Sequence, residues 1–511
     1  MSVLLKDLND YIAPSQACIK PVEVNKTSTD SKSNVIKVDN SGGYYEVSLD
    51  GVETKLQTAS ITLDDCLACS GCITSAESVL ITMQSQEELY NVLKSNKEAI
   101  EQNKADQVKT IVVSIAPQSV VSIAAKYNLT PLQVAKRLTY FFKTLGVHHV
   151  FDTSFSRDFS LLESAREFVE RYRVYQEEQQ QFTAGNDIKS SKAKRNGTSG
   201  GRDHAMNDAK LPMLASSCPG WICYAEKTHG FILPYISQTK SPQQIMGSVV
   251  KDYLGNKLGI KPNNIYHVGV MMCYDKKLEA SRNDFFNDDY QTRDVDCVIT
   301  SGEVVKMFEE SHFDIMTSEE TSLDTFTKTS QQGELLRSSG SASGGYLEFI
   351  LEYAARELFK VTDVDVEGER GVMVKTGRNK DFKEVTLEID GKPVLKFASA
   401  YGFRNIQNLV RKIKNNNSPY HYVEVMACPS GCINGGGQLK PNENIPIKDW
   451  ILHVNNIYRN VNSVSPEKND VVLNLYNEWL DGINSEKSKS LLRTQYHAVE
   501  TNLTNPLAVK W

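Results

Sequence analysis

The chain is organised around one stretch near its C-terminal end, which reads Val425-Met426-Ala427-Cys428-Pro429-Ser430-Gly431-Cys432-Ile433-Asn434-Gly435-Gly436-Gly437-Gln438. Its two cysteines flank a Pro-Ser-Gly turn, and three glycines follow at once. Thiolates at this spacing can bind one soft metal centre, and Gly431 lets the backbone bend tightly between them. Successive glycines let the main chain approach a bulky group and offer N–H groups to its sulfurs. The alternative for this fragment alone is two buried, inert cysteines beside a loop.

Composition and charge narrow the classes of function. The chain has 511 residues, of which 40% are hydrophobic, and this predicts two or three domains with a large core. Its net charge of −6 gives no electrostatic sign of a nucleic-acid binder. We expect neither a secretory signal nor a membrane span, since no apolar run approaches about 20 residues. The ten cysteines are therefore expected to be reduced thiols for metal or redox chemistry.

A second group of cysteines lies closer to the N-terminus. Cys66, Cys69 and Cys72 follow one another at intervals of three residues, the spacing typical of ferredoxin-type iron–sulfur loops. Zinc is the competing metal, although structural zinc sites prefer paired Cys-x2-Cys units. Three thiolates leave a fourth position open, and Cys18 is the nearest candidate for it. Taken alone, Cys18 is better interpreted as a buried thiol.

The middle of the chain alternates between apolar strands and helical patterns, which predicts an α/β core. The apolar run 110–116 before Pro117 is typical of a buried parallel strand, and we predict helices over 129–145 and 159–172. Two alternating strands around Asp390-Gly391 predict a hairpin. Two further strands each end in a cysteine, Cys218 and Cys273. Such an arrangement predicts a site at the carboxyl end of a sheet.

We predict three regions along the chain: an N-terminal iron–sulfur region at 1–108, an α/β core at 109–440, and a helical extension with a tail at 441–511. Residues 176–210 are polar and almost free of large apolar side chains, which predicts a disordered insertion within the core. The basic run 192–195 in this insertion is compatible with a nuclear address, although a solvated loop is the better interpretation. The terminal Trp511 is either a frayed end or an anchor for a partner's pocket.

Three motifs resemble, in order, those of the iron-only hydrogenases. They are Ser217-Cys218-Pro219-Gly220-Trp221, Met271-Met272-Cys273-Tyr274-Asp275-Lys276-Lys277 and the stretch from Glu424 to Gln438. The resemblance covers most of residues 110–440. It implies an α/β, iron-only hydrogenase-like, two-lobed core with parallel sheets flanked by helices, preceded by a small ferredoxin-like cluster region. It also implies cluster ligands at Cys218, Cys273, Cys428 and Cys432.

With the upstream cysteines and the terminal Trp, the chain looks closest to one eukaryotic branch, the hydrogenase-like cytosolic iron–sulfur assembly factors related to the nuclear prelamin A recognition factor. This resemblance implies two 4Fe–4S clusters, with Cys18 completing the set of Cys66, Cys69 and Cys72. It implies partners, namely scaffold proteins, a targeting complex reached through Trp511 and, indirectly, apoprotein clients. It further implies a cytoplasmic location, with the nucleus as a second option, and no nucleic-acid or membrane partner.

Departures from the hydrogenases bear on activity. Ser217 stands where active hydrogenases have a proton-donating cysteine, and Met272 replaces a proline. A serine hydroxyl titrates far outside the range of a useful proton relay at neutral pH. Lys276, which contacts a di-iron ligand in hydrogenases, is retained. We therefore expect a protein that is not an enzyme, with a working hydrogenase and a structural zinc protein as alternatives. Lys510 departs from the branch, whose tail normally has an acidic or small polar residue before the terminal Trp.

Overall fold

A computed structural model describes residues 80–184, 210–442 and 444–499, together with three short strands nearer the N-terminus. These strands are β1 (Val35–Val38), β2 (Tyr44–Val47) and β3 (Glu53–Lys55). They pair antiparallel in the order β1-β2-β3. The chain divides into two compact units, Met1–Val79 and Leu80–Trp511, and the following paragraphs concern the second.

One sheet of the second unit is entirely parallel. Its strands are β4 (Thr110–Ile115), β5 (His149–Asp152), β7 (Ile265–Met271) and β10 (Cys297–Thr300). They lie in the order β10-β7-β4-β5. The apolar strand β4 is buried from residue 111 to 115, because it has a neighbour on both edges and helices on both faces. The prediction of a buried parallel strand here is confirmed.

The other large sheet is mixed. Its strands are β6 (Met213–Leu214), β11 (Met373–Thr376), β12 (Phe382–Ile389), β13 (Lys392–Tyr401) and β14 (Tyr422–Met426). Their order is β11-β12-β13-β14-β6, with β13, β14 and β6 parallel to one another. The predicted hairpin is confirmed, since β12 and β13 pair antiparallel around Asp390 and Gly391, both with positive φ. A separate ribbon pairs β8 (Phe286–Asn287) with β9 (Thr292–Arg293).

Helices cover both sheets. In the described part of the chain they are α1 (Gln86–Glu101), α2 (Pro117–Tyr127), α3 (Pro131–Leu145), α4 (Thr153–Ala184), α5 (Pro219–Thr228), α6 (Pro242–Ser248), α7 (Gly255–Leu258), α8 (Asp275–Ala280), α9 (Ser301–Glu310), α10 (Tyr346–Phe359), α11 (Phe403–Lys414), α12 (Ile447–Arg459), α13 (Asp470–Glu478) and α14 (Glu486–Leu492). A π-helical segment, Val249–Leu254, joins α6 to α7. No helix of this part is long and apolar enough to cross a membrane.

Local sequence explains the bounds of α3. The Thr130 side chain accepts a hydrogen bond from the Gln133 N–H, and the Gln133 side chain accepts one from the Thr130 N–H in return. Pro131 occupies the first helical position, where its missing N–H leaves no bond unmade. The helix ends before Gly146, whose φ of 106° suits glycine. The helix predicted over 129–145 is therefore confirmed to within two residues.

Helix α4 joins the two sheets and is longer than the sequence pattern predicts. Its Phe168 packs edge to face against Phe397 of β13 at 5.0 Å, in a core that also holds Val112 of β4. The predicted helix covers only 159–172, whereas α4 runs on to Ala184 and enters the predicted insertion 176–210. The Glu- and Gln-rich composition of 176–181 explains this, since both residues favour helices. Residues 185–209 of that insertion lie outside the described part.

Helix α1 belongs to the second unit, although we predicted an N-terminal region reaching residue 108. Leu89 of α1 is fully buried in the core of the parallel sheet, together with Val268 of β7 and Ile299 of β10. This burial ties the helix to the α/β core. The predicted α/β class is confirmed, because two sheets with parallel strands are flanked by helices.

Candidate metal centre

Four cysteines are positioned by the ends of three strands. Cys218 follows β6 and precedes α5, whereas Cys273 comes two residues after β7. Cys428 comes two residues after β14, and Cys432 opens a short helical turn, Cys432–Asn434. Strands β6 and β14 belong to the mixed sheet and β7 to the parallel one. The site therefore lies where the carboxyl ends of strands from two sheets meet, whereas the sequence predicts a site at the end of a single sheet.

The four thiols lie close enough together to influence one another's ionisation. Burial raises the pKa of Cys218, Cys273 and Cys428 and raises that of Cys432 to about 12. Repulsion between the would-be thiolates adds to this effect, and it links all four. Each residue nevertheless keeps some accessible surface. Such thiols remain protonated unless positive charge is bound among them, as metal ions would provide.

Backbone N–H groups point at two of the sulfurs. The Ala427 N–H donates to the Cys218 Sγ at 3.3 Å, and the Trp221 N–H in the first turn of α5 donates to the same sulfur. The Gly436 N–H donates to Cys428. These donors favour the thiolate form and are typical of sulfurs that bind a metal centre.

The glycines around the two C-terminal cysteines are required by close packing. Gly431 has a φ of 76°, and a Cβ there would lie 2.0 Å from the Ser343 Oγ, which accepts a hydrogen bond from the Cys432 N–H. In the triple glycine, a Cβ added at Gly435 or at Gly437 would lie within 3.2 Å of the Met272 carbonyl oxygen. Only the Gly436 N–H donates to a cysteine sulfur, whereas we expected all three to be free for a metal centre. The Gly435 N–H donates to the Cys432 carbonyl and the Gly437 N–H to the Met272 carbonyl.

Two buried cations lie beside the thiols. Lys276 is 6% exposed, and its Nζ donates to the Ser217 carbonyl at 3.1 Å and to Glu279 at 2.8 Å. Arg157, at the start of α4, is 3% exposed and donates to the Tyr458 hydroxyl at 3.1 Å. Both charges lower the pKa of Cys432, against the larger effect of burial. They act against the nearby Asp275 carboxylate, which raises the pKa of Cys218, Cys273 and Cys428.

The donor set fits a four-iron cluster. Four cysteine sulfurs are the usual ligands of such a cluster, and the site supplies them with N–H donors and two neighbouring cations. Within the described residues, no three His, Cys, Asp or Glu side chains converge closely enough to hold a single metal ion. A four-iron cluster needs no such convergence, because each thiolate binds a different iron atom.

The structure brings together four of the eight predicted ligands. The other four, Cys18, Cys66, Cys69 and Cys72, lie outside the described residues, as do Lys510 and Trp511.

Sequence reasoning missed Arg157. Its signal is its place five residues after β5, which puts it near the carboxyl edge of the parallel sheet. No sequence pattern distinguishes this buried arginine from an exposed one on the same helix.

The chain matches two family models. Residues 109–436 match the C-terminal domain of the iron-only hydrogenase large subunit, and residues 452–499 match the iron hydrogenase small subunit. Among solved structures, an apo FeFe-hydrogenase from Chlamydomonas reinhardtii is 26% identical with a TM-score of 0.60. That match covers 76% of this chain and 94% of the hydrogenase. Fold and site thus define the class of iron-only hydrogenase-like proteins.

Two relatives that match along nearly their whole length identify a family within this class. A cytosolic Fe-S cluster assembly factor, narfl, from Xenopus tropicalis is 51% identical, with 99% of this chain and 98% of the relative covered. A cytosolic iron-sulfur assembly component 3 from Rattus norvegicus is 49% identical, also over 99% of this chain and 98% of the relative. The chain belongs to this hydrogenase-like family of cytosolic iron–sulfur cluster assembly factors.

Proposed function

We propose that the protein holds two 4Fe–4S clusters and helps to pass clusters from a cytosolic scaffold to a targeting complex and its apoprotein clients. The observation that carries this proposal is the gathering of Cys218, Cys273, Cys428 and Cys432 from two sheets into one partly buried group. The names of relatives that match along nearly the whole chain support the cytosolic assembly role.

In the core site, Cys218, Cys273, Cys428 and Cys432 would hold one cluster, which would supply a stable iron–sulfur unit able to store one electron. The chain's own residues perform the rest. The N–H groups of Ala427 and Gly436 stabilise thiolates, and Lys276 keeps positive charge beside them.

The second cluster is assigned to Cys18, Cys66, Cys69 and Cys72. Three of these ligands lie within seven residues of sequence, whereas the core ligands come from three distant segments. A cluster with three of its four ligands close together in sequence is released by local opening more readily than one whose ligands are spread through a large core. We therefore assign the transferable cluster to the N-terminal site.

A transfer assay tests this function. Anaerobic protein carrying radioactive iron is mixed with an apoprotein that needs a 4Fe–4S cluster, in the presence of a chelator that captures free iron. The expected result is label in the acceptor, at a rate reduced by Cys69→Ala and by Cys18→Ala alike. Capture of all label by the chelator would refute transfer.

The tail is assigned to partner binding. An aromatic side chain at a free end can fill a pocket while its carboxylate pairs with a basic group. Deleting Trp511 should weaken capture of the targeting complex and leave the iron content unchanged. Equal capture by the truncated protein would refute this assignment.

A nuclear pool, proposed from the basic run 192–195, is tested by cell fractionation before and after replacing its three basic residues.

A hydrogenase is the second candidate, because the structural neighbours are hydrogenases. Ser217 argues against it, since the site lacks a thiol at the position preceding Cys218. Infrared spectra distinguish the two functions. The carrier should lack the carbonyl and cyanide stretches of a di-iron unit, and their presence together with hydrogen evolution would favour the enzyme.

A further inference from the structure

A basic groove lies beside the loop that carries Cys428 and Cys432. It encloses about 680 Å³ between the end of β11, the start of β12 and one side of α11. The floor is the part of the mixed sheet that α11 leaves uncovered, where Lys375 of β11 stands opposite Glu384 of β12. Residues on paired positions share one face of a sheet, so both side chains enter the groove.

The groove is rich in unneutralised positive charge. Lys375, Arg378 and Arg411 are exposed, and none forms an ion pair with any residue that the structure describes. The one carboxylate of the lining, Glu384, accepts the Tyr420 hydroxyl and lies 3.5 Å from the Lys396 Nζ, so it is already engaged. A cluster of this kind on a chain with net charge −6 attracts an anionic group from outside.

The floor also offers apolar surface at Phe382, whose ring is half-buried. This ring lies 6.1 Å from that of Tyr420, and the Lys412 Nζ sits 5.9 Å and 5.3 Å from the two centroids. Tyr420 and Leu409 are buried in the wall, so Phe382 supplies the accessible apolar surface. An occupant with both carboxylates and an apolar side chain would satisfy this combination, as a polypeptide does and a simple anion does not.

The backbone of β11 favours an extended occupant. Strand β11 is the outermost strand of the mixed sheet, and it pairs only with β12 among the described strands. Its outer edge can therefore accept the main chain of another segment as an added strand. Gly377 follows directly, and a Cβ there would meet no atom within 4 Å, so the space beside it is open.

We infer that this groove is a docking site for an extended acidic segment of a partner protein. Its carboxylates would pair with Lys375, Arg378 and Arg411, and an apolar residue would cover Phe382. A nucleic-acid strand fits less well, since a carboxylate, Glu384, stands among the cations of the lining and the chain as a whole is acidic.

The docked segment would lie next to the candidate metal centre. The Ser430 N–H donates to the Asp381 Oδ1 at 2.7 Å, and Asn379 of the groove donates to Asn405 at 3.0 Å. The loop between Cys428 and Cys432 is thus anchored to the rim of the groove. That the partner is a component of cluster transfer rests on the proposed function, whereas the ability of the groove to bind an acidic segment does not.

The test uses the full-length protein and a fluorescein-labelled peptide of about 12 residues, in which glutamates alternate with threonines around one central leucine. Fluorescence anisotropy should report binding that weakens as salt rises. The Arg378→Glu/Arg411→Glu variant should bind at least about tenfold more weakly. Gly377→Trp, which fills the groove without altering charge, should also weaken binding.

The matched control is Lys94→Glu/Lys306→Glu, which reverses two exposed lysines far along the chain from the groove. It should bind the peptide like the wild type, and hydrogen exchange should show protection of 373–384 and 405–412 by the peptide. Equal weakening in both double variants would overturn the inference. Tighter binding of a single-stranded RNA of equal charge would also overturn it. So would a failure to bind the peptide at low salt, which would mean that Lys375 serves only to keep the edge strand β11 from pairing with other chains.

Iron content, measured on the same samples, separates the two proposals. Failure of the wild-type protein to bind the peptide while it holds its iron would refute the groove alone. Peptide binding by a protein that cannot hold iron and sulfide would refute the cluster function alone.

Discussion

The Lys276 Nζ donates a 3.1 Å hydrogen bond to the carbonyl oxygen of Ser217, the residue that precedes Cys218. Lys276 itself lies three residues after Cys273, so one buried cation holds together two cysteine-bearing segments from different sheets. Its charge is balanced by Glu279, whose carboxylate is 2.8 Å from the same nitrogen. The assembly of the site therefore depends on an ion pair as well as on the fold.

Lys276→Met should destabilise the protein, because it leaves the Glu279 carboxylate buried without its partner. Breaking a buried pair in this way costs about 3–5 kcal/mol. Denaturant unfolding of the metal-free protein measures this loss. Lys276→Met/Glu279→Gln is the matched control and should recover part of the stability. A single variant as stable as the wild type would show that the pair does not hold the segments together.

Replacing one core cysteine should remove the core cluster alone. In Cys428→Ala the iron and sulfide content should fall by about half, since one of two equal clusters is lost. Cys297→Ala is the control, because Cys297 is fully buried in β10 and its sulfur faces the Ser85 carbonyl. Equal iron loss in the two variants would mean that the assignment of ligands is wrong.

Gly431→Ala should disrupt the loop between the two C-terminal ligands. An alanine at a φ of 76° is strained by about 1–2 kcal/mol, and here its Cβ would also overlap the Ser343 Oγ. Gly391→Ala isolates the backbone effect, since Gly391 has a φ of 72° and no atom within 4 Å of an added Cβ. We expect iron loss only in Gly431→Ala, measured by iron analysis after anaerobic reconstitution. Iron retained by both variants would contradict the packing role.

The burial of His267 predicts that the folded protein loses stability in acid. Its Nδ1 lies 2.9 Å from the Asp294 carbonyl and its Nε2 lies 2.9 Å from the Ser114 Oγ, so both nitrogens are engaged in the neutral ring. Burial lowers the pKa of His267 to about 4. Since the unfolded state binds the extra proton from about pH 6.5 downward, this stabilisation is present above 6.5 and is lost as the pH falls through 4.

The His267 contribution can be isolated by difference. As the pH falls from about 6.5 to about 4, the free energy of unfolding should fall by about 3 kcal/mol more in the wild type than in His267→Gln. Urea unfolding at pH 4 and pH 7 measures the difference. Parallel pH profiles for the two proteins would show that His267 is not buried in its neutral form.

Ser217→Cys should not create hydrogenase activity. The thiol would restore a proton donor, but proton transfer contributes nothing without a di-iron unit to receive the proton. Hydrogen evolution from reduced viologen, measured on reconstituted wild type and variant, should stay at background in both. Turnover in the variant alone would show that the serine is the one missing element.

Local patterns predicted much of the fold. The apolar run of β4, the helical pattern of α3 and the Asp390-Gly391 turn all act over a few residues, and each predicts its element at the observed place. The sequence motifs likewise single out Cys218, Cys273, Cys428 and Cys432. Their predicted ligand role stays a prediction.

Long-range packing accounts for what sequence reasoning missed. That Cys218 and Cys273 follow strands of different sheets depends on strand order, which no local pattern encodes. The sequence predicts that Gly435 and Gly437 make room for a metal centre, yet in the fold both pack closely against the Met272 carbonyl. The burial of Arg157 depends on Tyr458, some 300 residues away in sequence.

Metal analysis of anaerobically reconstituted Cys66→Ala/Cys69→Ala/Cys72→Ala, which retains only the core site, shows whether the core cysteines hold an iron–sulfur cluster. If they do, the variant should contain about four iron and four sulfide per chain, without zinc. Stoichiometric zinc with no sulfide, or no metal at all, would contradict this prediction.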